Sequence, residues 1–328
     1  MKKEAIICLD IGGTNCRIGL VDREGGLSES RIIPTCQLAE GDFLAALARL
    51  IDDYRKCHSG GHMIRAVSMG FPATIDRERR RVLQAPNIPG LEDNLAICDV
   101  LEDALALPVF LERDVNLLLA YDLRQLRLDR RGTIIGIYFG TGIGNSIYIN
   151  GQWLRGYNGV AGELGHIPQL YSDCQCGCAN RGCIEPLGGG RRLSELCETR
   201  FTGTGIKEIY LRHADTPEVR AQVEAMAVAV ATEVNILDPD YVVLGGGLLQ
   251  MEAFPLEYFE EKIRAHTRKP YPLENLRIRY ARMNQENGII GAGLYGWSCL
   301  EPDAAKQPAV TAAHLQREAS AAFEQRVI

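Results

Sequence analysis

Two short glycine-rich turns, each set between apolar runs, constrain this chain more than any other feature. The apolar run at residues 5–9 leads through Asp10, Ile11, Gly12, Gly13, Thr14 and Asn15 into a second run at 16–21, which reads as strand, turn, strand. The pattern returns at residues 133–139, where Gly140, Thr141, Gly142 and Gly144 lead into 146–149 before an Asn150-Gly151 turn. A hairpin of this kind used twice implies two similar α/β lobes facing one another across a cleft. Glycine at such turns lets backbone amides approach an anion closely, and threonine adds a hydroxyl donor. Either turn alone is equally consistent with a tight hairpin that binds nothing.

The second turn is not a dinucleotide-binding fingerprint, because that motif opens a helix and here an apolar strand follows. No G-x-x-x-x-G-K-[ST] string is present, which excludes Walker-type phosphate binding. A third glycine-rich edge, Gly245-Gly246-Gly247, follows a buried run at 241–244, the place where nucleotides bind in open α/β sheets. Apolar spacing predicts helices over residues 42–54, 91–107, 115–126, 217–237 and 289–300, and strands over 64–70 and 109–112. Asp114 then falls at a strand-to-helix corner, where an aspartate is ordinarily a helix cap. The lobes are expected to comprise residues 1–118 with 288–300, the smaller, and 119–287, the larger. Residues 301–328 carry no core pattern and are expected to form a surface helix or a disordered tail.

Charge narrows the partners. Among 328 residues, 36 Lys and Arg stand against 42 Asp and Glu, a net charge of −6 that disfavours nucleic acid or an anionic membrane as partner. Arg79-Arg80-Arg81 is too short a basic run to alter this. Hydrophobic residues at 46% are ample for folded cores, and no apolar stretch approaches the roughly 20 residues that span a bilayer, so the expected address is the cytoplasm.

Eleven cysteines, an odd number, do not suggest a secreted disulfide framework. Cys8, Cys16, Cys36, Cys57, Cys98, Cys197 and Cys299 are dispersed and read as small buried hydrophobes. Cys176, Cys178 and Cys183 follow C-x-C-x4-C spacing, with His166 ten residues upstream in Glu163-Leu164-Gly165-His166. One imidazole and three thiolates form a closed tetrahedral zinc site, structural because no position is left for an activated water. Cys174 is an extra thiol able to compete as a ligand. Taken singly, Glu163 and Glu185 read as surface charges, Asn87 as a turn residue, and His58, His62, His213, His266 and His314 as surface histidines.

Together these residues carry a resemblance. Over residues 5–298 the chain resembles the ROK family (repressors, open reading frames and sugar kinases). The matching features are Asp10 to Asn15, the Gln84-Ala85-Pro86-Asn87-Ile88-Pro89-Gly90 string, the Glu112 to Asn116 corner, Gly140 to Gly144, Glu163 to His166, Cys176 to Glu185, and Asp238 to Gly247. The resemblance implies an actin-like ATPase (ribonuclease H-like) fold, two α/β lobes around a cleft, with a zinc loop at 166–185. It implies ATP-dependent phosphorylation of a hexose 6-hydroxyl with Asp114 as catalytic base, and Asn87, Arg113, Glu163, His166 and Glu185 around the sugar. Asp10, Gly12, Gly13, Thr14, Asn15, Gly140, Thr141 and Gly142 fall on the ATP phosphate side with Mg²⁺ between the phosphates, and Gly245, Gly246 and Gly247 on the nucleotide edge. His166 would both ligate zinc with Cys176, Cys178 and Cys183 and lie beside the sugar. A homodimer is implied as well.

Physical chemistry agrees that phosphoryl transfer needs in-line positioning, charge neutralisation and a carboxylate near the attacking hydroxyl. A helix start stabilises the Asp114 anion, so its basicity is expected to be lowered. Two departures matter: Arg113 stands where the family commonly has Asn, and Gly70-Phe71-Pro72-Ala73 replaces a Gly-x-Pro-Gly turn. These, with Val115-Asn116 and residues 163–168, are similar to the branch that phosphorylates D-allose; glucose, mannose and N-acetylhexosamines are the alternatives. The family also includes sugar-responsive repressors, which carry a helix-turn-helix before the first glycine turn, and nine residues before Asp10 are too few for one. A sugar-binding protein without catalysis is the third reading.

Overall fold

The computed structural model describes residues 2–282 and 284–302. Its first sheet contains β1 (Lys3–Ile11), β2 (Asn15–Val21), β3 (Leu27–Pro34), β4 (His62–Phe71, after helix α1, Phe43–His58) and, further along the chain, β7 (Val109–Arg113). A small ladder of β5 (Thr74–Ile75) and β6 (Val82–Gln84), then helix α2 (Ile97–Leu105), lie between β4 and β7. Helix α3 (Asp114–Gln125) leads into β8 (Thr133–Phe139), β9 (Ile143–Ile149) and β10 (Gln152–Trp153). After α4 (Glu185–Gly188), α5 (Gly190–Thr199), α6 (Ile209–His213) and α7 (Pro217–Leu237) come β11 (Tyr241–Gly245), α8 (Leu256–His266), β12 (Ile278–Tyr280) and α9 (Asn287–Leu300).

The duplication seen in the glycine turns extends to whole sheets. Strand order is β3-β2-β1-β4-β7 in one and β10-β9-β8-β11-β12 in the other. In each, the central hairpin is antiparallel and the two following strands join it in parallel. The parallel interior explains the unbroken apolar runs of β8 and β11, which are covered on both faces. Each sheet has its own core, one around Leu9, Leu47 and Phe71, the other around Phe139, Val230 and Phe259.

Local chemistry sets several helix ends. Asp42 caps α1, its carboxylate accepting from Ala45 N at 3.1 Å, and Arg55, Lys56 and His58 complement the far end of the dipole. Pro217 begins α7, and Asp238 ends it in a left-handed conformation (φ 43°). The helix expected over 91–107 begins only at Ile97, because Leu95 exchanges backbone bonds with Val82 and Asn94 takes φ 64°, so the preceding turns close against β6 instead. Strand β3 and helices α5 and α8 escaped the sequence pattern. In β3 most side chains are exposed, while α5 and α8 are anchored chiefly by Leu193 and Leu196, and by Phe259 and Ile263.

Helix α9 returns to the first sheet and packs on α3 through glycines. A β-carbon at Gly291 would overlap the Leu117 carbonyl, one at Gly293 Val21, and one at Gly288 the Asp10 carboxylate. That close approach brings the start of α9 against the tip of β1 and fixes Asp10. Of the dispersed cysteines, Cys8, Cys16 and Cys98 are buried, but Cys36 and Cys57 are exposed: Cys57 lies on the solvent side of α1 and Cys36 on a short helical turn. Among the described residues no helix is long and apolar enough to cross a membrane. His314 and residues 303–328 lie outside the described residues.

Candidate active site

Asp114 is the first residue of α3, directly after β7, with Arg113 rather than Asp114 in the capping position. One of its carboxylate oxygens accepts from Val115 N at 2.8 Å. The helix start does not lower its basicity overall. Burial pushes the Asp114 carboxyl up to about 6, and the Asp10 carboxylate adds to the rise, while Arg113 and the Val115 amide oppose it. Asp10 is itself raised by burial, with Arg17 working against that. Two acidic groups from different strand ends thus feel one another. The glycine turns flank them: Asp10 ends at the Gly12-Gly13 turn, and the Val115 side chain packs where a β-carbon on Gly144 would stand.

The corner is held by a buried network that sequence reasoning missed. Glu112 is fully buried and pairs with Arg79 Nε at 3.0 Å, accepts from Arg113 N at 2.8 Å and accepts from Asn116 Nδ2 at 2.9 Å. Asn116 in turn accepts from Ser146 Oγ at 2.7 Å, which ties α3 to β9 in the second sheet. Arg79, part of the short basic run at 79–81, is 4% exposed and donates to the Gly159 carbonyl at 2.8 Å. The only sequence signal was the Glu112 to Asn116 corner itself, since nothing local distinguishes Arg79 from Arg80 and Arg81.

Arg113 extends that network to the predicted sugar loop, donating to the Ala161 carbonyl at 2.9 Å and to Glu163 Oε1 at 2.8 Å. Glu163 also lies 3.5 Å from His166 Nε2, and the opposite ring nitrogen, Nδ1, is 3.5 Å from Cys176 Sγ. His166, Cys176, Cys178 and Cys183 present four donor atoms all within 4.8 Å of one another, with Cys178 and Cys183 sulfurs 3.7 Å apart. Cys174 is exposed and outside this set. Glu185 accepts from Ile143 N at 3.0 Å and crowds both Gly142 and Gly165, which places it between the second glycine turn and the His166 loop. Asn87 is exposed, with its carbonyl covering Gly13 on the first turn.

A groove of about 280 Å³ opens beside the second turn, lined by Gly140, Thr141, Gly190, Arg191, Ser194, Ile206, Gly247 and Leu248. Gly140, Thr141 and Gly247 were expected at a nucleotide. Gly245 and Gly246 are also tightly packed: Gly245 abuts Tyr138 and Ala281, and Gly246, at φ 99°, lies against the Phe139 backbone where a β-carbon would overlap. Sequence reasoning missed Gly190, Arg191, Ser194 and Ile206, although Gly188-Gly189-Gly190, three residues on from Glu185, was a signal available to find the first of them. Among the described residues no carboxylate lines the groove, whereas the Asp10 and Asp114 region contains two, so the arrangement separates a partly apolar slot carrying the Arg191 side chain from an acidic centre.

A model of the ROK family matches residues 6–295. The chain belongs to the ROK family. Within that family it is 30% identical over 268 residues to the glucokinase of Streptomyces coelicolor, covering 74% of this chain and 81% of the relative. Among solved structures it is similar to a ROK hexokinase from Thermus thermophilus, at 29% identity and a TM-score of 0.74, covering 91% of this chain and 99% of that one. It is also similar to a ROK family glucokinase from Streptomyces griseus in complex with glucose and AMPPNP, at 26% identity and a TM-score of 0.71, covering 88% and 98%. The ROK architecture of paired α/β sheets, the actin-like ATPase fold, is therefore this chain's fold.

Proposed function

We propose that this protein is an ATP-dependent hexokinase-type sugar kinase, acting on the 6-hydroxyl of a hexose, with D-allose the favoured substrate. The observation that carries the kinase reading is a carboxyl of raised pKa, Asp114, which feels Asp10 at one glycine turn and whose neighbour Val115 packs against Gly144 at the other. The ROK relatives support it, since those described above are named as glucokinases or a hexokinase. Asp114 accepts the proton of the attacking hydroxyl and orients its oxygen toward the terminal phosphate, and a pKa near 6 leaves it mostly ionised at neutral pH. Glu163, His166, Asn87 and Glu185 are the groups offered to the sugar hydroxyls. The ATP phosphates meet the Gly12-Gly13-Thr14 and Gly140-Thr141-Gly142 turns, and the nucleoside takes the groove. Asp10, a carboxylate whose ion pair with Arg17 is 3.9 Å long, fits a magnesium ion, which when bound neutralises phosphate charge.

The preference for D-allose rests on Arg113 and on Phe71-Pro72-Ala73. Arg113 holds Glu163 by its carboxylate, so the sugar meets a charge pair where an amide is common in the family. Allose is glucose inverted at carbon 3, and a change of polar contacts near that carbon suits it. Coupled ADP release across D-allose, D-glucose, D-mannose and N-acetylglucosamine tests the reading. The highest kcat/KM is expected for D-allose; highest for glucose makes this a glucokinase, and no turnover with any of the four ends the kinase reading.

The four-donor cluster fits zinc. With metal–sulfur bonds of about 2.3 Å and a metal–nitrogen bond of about 2.0 Å, a tetrahedron has edges of about 3.8 Å between sulfurs and about 3.5 Å between sulfur and nitrogen. Cys178 Sγ to Cys183 Sγ is 3.7 Å and Cys176 Sγ to His166 Nδ1 is 3.5 Å, and all four donor atoms lie within 4.8 Å of one another. His166 would bind through Nδ1 while Glu163 orients the ring from Nε2, the usual carboxylate support of a metal-bound imidazole. The metal would supply rigidity to the loop carrying His166 and Glu185. Cys176→Ala is expected to lose bound zinc, measured by elemental analysis of the purified chain, and to weaken hexose binding. A full complement of zinc in that variant would show the ligand assignment to be wrong.

A further inference from the structure

Arg191 stands in the first turn of α5 and is, among the described residues, the one charged residue lining the groove. The helix amides do not supply positive charge there. Gly190 N donates to the Gly140 carbonyl at 2.8 Å and Arg191 N to the Thr141 carbonyl at 3.2 Å, so these donors are consumed in seating α5 on the second glycine turn. The guanidinium is exposed, and among the described residues no carboxylate oxygen lies within 4.0 Å of it. Its hydrogen bond runs from Nη2 to Oδ1 of Asn87 at 3.3 Å. Asn87 comes from the first half of the chain, and its carbonyl covers Gly13. Nη1 lies 3.6 Å from where a β-carbon on Gly177 would stand, in the cysteine loop. One cation thus adjoins the groove, the Asn87 string and the cysteine loop, and with five N–H donors it has several left for an anion.

We propose that Arg191 binds a phosphate of the nucleotide and, through Asn87, latches that nucleotide to the sugar-binding side of the cleft, so that each ligand tightens the other. The inference deepens the kinase reading and rests on it. A phosphate that fixes the guanidinium also fixes Asn87, and a hexose that fixes Asn87 has already oriented Arg191. The coupling is therefore reciprocal.

Calorimetry on the full chain tests this, with AMPPNP plus magnesium and the best hexose from the sugar panel each titrated alone and in the presence of the other. Arg191→Met is expected to weaken AMPPNP binding by about 10- to 100-fold, the usual loss for one charge-assisted contact to phosphate. It should also abolish the mutual tightening while changing hexose affinity little when no nucleotide is present. Arg191→Lys should regain part of the nucleotide affinity but not the coupling, because a point charge meets phosphate without reproducing the fork that holds Asn87. Unchanged AMPPNP affinity in Arg191→Met would remove the phosphate contact, and retained coupling would remove the latch. Absence of hexose turnover by the unmodified chain would instead overturn the kinase reading, and the AMPPNP titrations would still decide whether Arg191 meets phosphate.

Discussion

Replacing Asp114 by Asn is expected to lower kcat by about two to four orders of magnitude while leaving hexose affinity within a few-fold, the range for loss of a general base. The amide keeps the size of the side chain and can still hydrogen-bond the sugar hydroxyl, but it cannot take the proton. The pH profile provides a second signature. Because the carboxyl is raised to about 6, the active ionised form is present above that pH, and kcat/KM of the unmodified enzyme should fall as pH drops through it. Stability moves in the other direction. A carboxyl whose folded pKa lies above its ordinary value binds its proton more tightly when folded, so its ionisation costs stability as pH rises through about 6. Asp114→Asn should therefore unfold at pH 7 no earlier than the parent, which separates a chemical defect from a folding defect. Near-normal turnover in this variant would take Asp114 out of the mechanism.

Glu112→Ala should cost about 3–5 kcal/mol of stability, the range for breaking a buried ion pair by removing one partner. Its partner Arg79 has a side chain only 3% exposed, and burial already lowers the guanidinium pKa, so an unpaired charge there has no access to water. The same substitution strips acceptors from Arg113 N and Asn116 Nδ2. Replacing both charges, as Arg79→Met with Glu112→Leu, should recover part of the loss, since the penalty arises from isolating one charge rather than from lacking the pair. Urea unfolding of the three variants measures this. A loss below about 1 kcal/mol in Glu112→Ala would mean that the Arg79 charge finds solvent and the pair carries little. Arg79 and Arg113 also hold residues 159–163, so variants that remain folded should bind hexose more weakly.

Legibility in the sequence followed the range of the interactions concerned. The glycine hairpins, the bounds of α7 and the spacing of the cysteines are decided within a few residues of chain, by turn conformation, proline at a helix start and ligand reach. Strand β3 was missed because it is an exposed edge strand with no apolar alternation, and the first turn of the expected helix at 91 was lost to a bond with Val82. Charged residues were the least readable. Arg79, Arg80 and Arg81 are identical in type and adjacent, yet Arg79 is buried on Glu112 whereas Arg80 pairs with Asp99 and Glu102 at the surface.

The linear order of residues was enough to establish the duplicated α/β plan, the position of Asp114 at a strand-to-helix corner and the one-histidine, three-cysteine donor set, because each is a local pattern of backbone or side-chain chemistry. Folding alone settled the direction of the Asp114 shift, the burial of Arg79 and the reach of Arg191 to Asn87. Those properties depend on electrostatics and desolvation, which are set by groups brought close from distant parts of the chain, and no spacing along the sequence encodes which groups those will be.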